Sequence, residues 1–225
     1  KIMFRAVKKY ENGGATVVRS DKQTQILDAI NKISGDDDKL KSLLQYTAMV
    51  ENSMGNDRSA YNRDYTNSFM SLDDKAIDRI FEILPGARGF TSTQKAWQDR
   101  FRNEYGVSNK EDLLKRLKND EVELSIFTAR AYYGMSPDAL PKVDSNSLHD
   151  YWLKNYNSMG VVKGVPKDQL KAELNKIQES YVSKFENWKS GMPTKEESLF
   201  TTTSGDDKEI VLRDQPLSYI WDQQL

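Results

Sequence analysis

The stretch Glu121 to Tyr133 is apolar nearly all round, with Val122, Leu124, Ile126, Phe127, Ala129, Ala131, Tyr132 and Tyr133 covering every face of a helix. A helix without a polar side must be surrounded, so the rest of the chain has to supply a shell around it. The flanking sequence offers that shell as further helices. Ile26, Leu27, Ile30 and Ile33 recur at helical spacing over Asp21 to Ile33, and Leu40, Leu43, Leu44, Thr47, Val50 and Met54 do so over Lys39 to Met54. A third stripe, Ile77, Ile80, Phe81 and Leu84, ends at Pro85-Gly86, and further helices are expected over Thr91 to Tyr105 and Asn109 to Leu117. A short helix carries Tyr151, Trp152 and Tyr156, and a longer one runs from Pro166 to about Trp188. The fold class expected is mainly α.

Polar punctuation separates these helices. Gly35 and the run Asp36-Asp37-Asp38 stop one helix and cap the next. The acidic trio lacks the alternating oxygen ligands and closing glutamate of an EF-hand, so capping is the better reading. Asp73 or Ser71, and then Ser108 or Asn109, stand at later N-termini. Between Asn56 and Leu72 lies a polar, tyrosine-bearing loop or short hairpin with Tyr61, Tyr65 and Phe69. A loop of this length in a compact domain is usually functional or disordered, and its aromatics argue against disorder. The organisation expected is an arm over 1–20 (a hairpin or an extended segment), a helical domain over 21–160, a long helix over 161–190 and a second arm over 191–225. The long helix can pack on the domain or form a seam with a partner.

Composition narrows the chemistry. The 225 residues carry 33 basic and 34 acidic side chains, a balance unlike that of a dedicated nucleic-acid binder. Cysteine is absent, which excludes disulfides, thiol nucleophiles and cysteine metal sites. The lone histidine, His149, excludes His-pair zinc motifs and reads as a partly buried structural residue. No apolar run is long enough to cross a membrane, and no leader with a charged start and apolar middle is visible. Gly86-Ala87-Arg88-Gly89 lacks the spacing of a phosphate loop. No cofactor or metal is expected.

Glu51 stands out. It follows Leu40 by eleven residues, so at 100° per residue it projects within about 20° of that leucine, on the core side of its helix. It also lies at the helix C-terminus, just before Gly55. Desolvation and the negative end of the helix dipole both favour a protonated carboxyl, the setting of a general acid. The competing reading is a buried ion pair with Arg130, the one basic residue inside the apolar central helix. Such a pair would weaken Glu51 as an acid. Trp97, Trp152, Tyr151 and Tyr156 are read as core or rim rather than sugar platforms, and Lys110 to Lys118 as a solvated face.

Glu51-Asn52-Ser53, the polar loop, Asn67-Ser68-Phe69-Met70-Ser71-Leu72 and Ala129-Arg130-Ala131-Tyr132-Tyr133 follow one another in order. Together they resemble the soluble lytic transglycosylase and goose-type lysozyme pattern: a helix ending in Glu-Ser, a Gly-Leu-Met-Gln-like turn, and a buried helix bearing Ala-x-x-Tyr. With Tyr151 to Asn157 included, the run is similar to lysozyme-like proteins carried in bacteriophage particles. The resemblance covers about residues 39 to 160. Asn52 stands where the family has serine, Ser68 where it has glycine and Ser71 where it has glutamine, which bears on substrate contacts more than on the acid.

The resemblance implies a lysozyme-like helical domain acting on peptidoglycan glycan strands, in a virion that works at the bacterial cell envelope or periplasm. Glu51 would protonate the glycosidic oxygen between N-acetylmuramic acid and N-acetylglucosamine, then take the muramoyl 6-hydroxyl proton as a 1,6-anhydro ring closes. Ser68 and Met70 would line the floor, Tyr132 or Tyr133 would lie near Glu51, and Tyr61 and Tyr65 would contact sugar. An inverting hydrolase would need a second carboxylate, for which Asp57, Asp64 and Asp73 are candidates, each otherwise a loop or cap residue. The other reading is a virion structural protein on the same helical domain, catalysis lost, with its arms and long helix gripping other virion proteins.

Overall fold

The computed structural model describes residues 21–56, 68–83, 86–157, 166 and 168–191. The arms expected over 1–20 and beyond Gly191 lie outside the described residues, as do Tyr61, Tyr65, Asp57, Asp64 and Leu84. Helix α1 spans Asp21–Ser34, α2 Asp38–Asn52, α3 Asp74–Phe81 and α4 Ser92–Tyr105. Then follow α5 at Lys110–Lys118, α6 at Val122–Gly134, α7 at Ser145–Asn155 and α8 at Leu170–Lys189. The fold is mainly helical, and no strand occurs among the described residues.

Helix α6 sits at the centre. Leu124, Ile126, Phe127, Ala129, Ala131 and Tyr133 are all buried, and α1 to α5 each pack against this helix. Ser125 and Thr128 are buried on it as well, with the Thr128 hydroxyl donating to the Leu124 carbonyl at 2.7 Å. Around it stands an aromatic cluster in which Phe127 meets Trp97, Phe101 and Tyr105 at ring separations of 5.7, 4.9 and 4.6 Å.

Capping follows the polar punctuation. The Asp37 carboxylate accepts from the N–H groups of Lys39 and Leu40, and Asp73 accepts from Ala76 at 2.8 Å. Asn109 accepts from Asp112, and Thr91 and Gln94 form a reciprocal capping box at the start of α4. Helix α3 stops at Phe81, short of Pro85, because Glu82 is already extended. Helix α8 begins at Leu170 rather than at Pro166; the Pro166 carbonyl instead closes a turn by accepting from Gln169 at 3.0 Å.

The long helix packs against α2 and α7. Phe185 and Trp188 are buried in the same core as α6, and Phe185 lies 5.0 Å from the ring of Tyr46 on α2. No helix among the described residues is long and apolar enough to cross a membrane.

Candidate active site

Glu51 occupies the last turn of α2 and is half-buried. Helix α2 ends abruptly after it. Asn52 caps a short 3-10 turn over Ser53–Gly55, in which Ser53 (φ 56°), Met54 (φ 57°) and Gly55 (φ 86°) all take left-handed backbone conformations. For Ser53 and Met54 this region carries a steric cost of about 1–3 kcal/mol each, so the surroundings must hold them there. They do so from three sides. The Asn52 amide donates to the Phe69 carbonyl while its oxygen accepts from the Gly55 N–H. The Met54 side chain is fully buried. From α8, Lys184 Nζ donates to Ser53 Oγ at 2.7 Å.

The segment 68–71 lies against this turn. Its carbonyls are held at two points: Phe69 by Asn52, and Met70 by the Tyr156 hydroxyl, which donates at 2.6 Å. The Ser68 hydroxyl accepts from the Met70 N–H at 3.3 Å, and Ser71 again has positive φ (53°). Phe69 and Met70 are fully buried and Ser68 nearly so. Met70 thus contributes a fixed carbonyl and core packing at this point, its side chain turned inward.

Aromatic side chains surround the Glu51 carboxylate. The Trp152 indole on α7 donates from Nε1 to Glu51 Oε1 at 3.0 Å. Burial pushes the Tyr133 and Tyr156 hydroxyls well above the usual phenol range, and the charge of Glu51 adds to the shift at both. Both phenols therefore stay neutral next to the carboxylate. Tyr133 shares a hydrogen bond with Thr47 Oγ1 at 2.7 Å, which sets its hydroxyl one turn before Glu51 along α2. The rings of Tyr133 and Tyr156 lie 5.0 Å apart, and those of Tyr132 and Tyr156 5.5 Å. Tyr132 points toward α3, where Arg79 donates to its hydroxyl at 3.1 Å and lies over its ring.

The competing Glu51–Arg130 pair does not form. Arg130 donates from Nη1 to the Ile33 carbonyl at 2.6 Å and stands 5.8 Å from the centre of the Trp97 ring. Burial and the nearby Arg100 both lower its pKa. The positive charge inside the central helix is accommodated by the C-terminal end of α1 and by an indole face.

His149 is buried behind Trp152. Its Nδ1 lies 2.8 Å from the Tyr46 hydroxyl, its ring is 5.6 Å from that of Trp152, and burial lowers its pKa from the usual 6.5. Among the described residues no cluster of three or more His, Asp or Glu side chains is arranged to hold a metal. Asp73, one of the carboxylates considered for activating water, caps α3.

Sequence reasoning missed the bridging role of Asn52, the contact made by Lys184 and the hydrogen-bonding role of Trp152. A signal existed for the last: a tryptophan on the buried face of a helix brings an N–H that needs an acceptor. Lys184, on the solvent-rich long helix, gave none.

No protein-family model, curated protein or solved structure matches this chain.

Proposed function

We propose that the protein cleaves peptidoglycan glycan strands as a lytic-transglycosylase-like muramidase, with Glu51 as the single general acid and base. The observation that carries this reading is the placement of the Glu51 carboxyl. It is half-buried at the negative end of a helix, held by an indole N–H and flanked by two neutral phenols. A carboxyl so placed can give up and take back a proton while remaining within reach of a substrate.

In this reading Glu51 protonates the glycosidic oxygen as its bond to the muramoyl C1 breaks. The resulting carboxylate then removes the proton of the 6-hydroxyl as O6 bonds to C1, which returns the proton to Glu51 and closes the anhydro ring. One carboxyl serves both steps, so no water-activating partner is needed. The backbone around it supports the same reading: the consecutive left-handed residues after Glu51 are held by the Asn52 side chain, and Ser71 is left-handed again across from them, an arrangement characteristic of functional sites. The setting proposed is a bacteriophage particle acting at the bacterial envelope.

The test is mass spectrometry of the products released from purified sacculi. Muropeptides ending in 1,6-anhydromuramic acid, absent when Glu51→Gln replaces the parent, are the expected result. Reducing-end muramic acid would replace the transglycosylase with a hydrolase. No release by the folded parent would favour the assembly-protein reading.

A further inference from the structure

The proposed chemistry requires Glu51 to present the same oxygen to the substrate twice, first carrying a proton and then accepting one. A glutamate at a helix end has rotamers to spare, so something must choose the oxygen. Trp152 lies where that choice is made. Its indole N–H can only donate, and it meets Glu51 Oε1 at 3.0 Å. Of the two oxygens of a neutral carboxyl, the carbonyl oxygen is the better acceptor. The indole thus keeps Oε1 as the accepting oxygen in both protonation states.

The indole itself has little freedom. Trp152 is fully buried, with Tyr46, His149 and Tyr181 rings at 6.4, 5.6 and 5.8 Å. These come from α2, α7 and α8, so three helices fix the direction of one N–H. Tyr46 is further held by the edge of Phe185 at 5.0 Å. Helix α8, outside the lysozyme-like resemblance, thereby buttresses the acid through Tyr181 and through the Lys184 contact to Ser53.

We propose that Trp152 is a positioning residue for Glu51, pinning Oε1 so that the proton exchanged with the sugar resides on Oε2. This rests on the muramidase reading for its purpose, though the contact itself can be read without any activity. Among the described residues, the ionisable groups nearest this site are Tyr133 of α6 and Tyr156 after α7, which feel the Glu51 charge directly, then Tyr132 and Asp73, which act on those phenols, Lys184 of α8 on Ser53, and His149 against the indole.

The test has two arms. In the first, the indole ¹⁵N–¹H signals of the full chain, which has four tryptophans, are followed against pH in the parent and in Glu51→Gln. One signal, identified by its loss in Trp152→Phe, should shift with pH in the parent and not in Glu51→Gln. A shift that persists in Glu51→Gln belongs to His149 and overturns the proposal, as does a Trp152 signal that does not titrate. If Trp152→Phe fails to fold, the Glu51→Gln comparison stands alone: one of the four signals must lose its titration. In the second arm, Trp152→Phe keeps an aromatic ring and removes the donor to the carboxylate. The high-pH limb of its activity profile should move up by about one pH unit, with kcat down about tenfold and KM unchanged. An unchanged pH profile overturns the proposal. A parent that shows the Trp152 titration but releases no muropeptides supports the contact and removes the muramidase reading.

Discussion

Asn52 joins two backbone segments that would otherwise separate. Its amide takes up the buried Phe69 carbonyl and its oxygen the Gly55 N–H, so one side chain closes both the end of α2 and the 68–71 turn. Asn52→Ala leaves that carbonyl without its donor, and a loss of about 1–3 kcal/mol is expected from urea unfolding. His149 makes a different prediction. Its folded pKa is lowered by burial, so between that value and the usual 6.5 the unfolded chain binds more protons than the folded one. Its contribution is complete above about pH 6.5 and is lost as pH falls toward the folded pKa. Stability measured at pH 7.5 and pH 5 should therefore drop less in His149→Gln than in the parent. An identical drop would mean that His149 does not titrate between the two states.

The helices were legible where an apolar stripe and a cap coincide. Ile26, Leu27, Ile30 and Ile33 form a buried face, Asp37 and Asp73 are caps, and α6 is the central helix that its all-round apolarity requires. Boundaries were less legible, because the stripe of α3 reads on to Leu84 while the backbone has already left the helix at Glu82. Gly134 ends α6 as its residue type suggests, but its packing was not legible. It is the last residue of α6, and it also admits Trp97. A Cβ there would lie 2.6 Å from Trp97 Cζ2, in a ring already wedged against Phe127 and Arg100. Gly134→Ala should cost about 1–3 kcal/mol despite alanine's better helix propensity, as an unfolding midpoint would register. Periodicity reports which face is apolar; it does not report how closely two elements approach.

The whole molecule is held to α8 through a small number of large side chains. Phe185 and Trp188 are buried in the common core, with their rings 5.8 Å apart. Phe185→Ala should cost about 3–5 kcal/mol, and because it loosens Tyr46 and through it Trp152, the proposed muramidase activity should fall under conditions where the variant is still folded. The half-buried position of Glu51 at the end of α2 was legible in the sequence from its angle relative to Leu40 and its place at a helix end. The indole that holds it was not, since Trp152 lies 101 residues away and only the packing of α7 on α2 brings the two together. If this carboxyl carries the proton, as proposed, the rate of sacculus clearance must differ between the parent and Glu51→Gln. A fall of about 10²–10⁴-fold, with the unfolding midpoint of the variant unchanged, is the expected result. Equal clearance rates would contradict it.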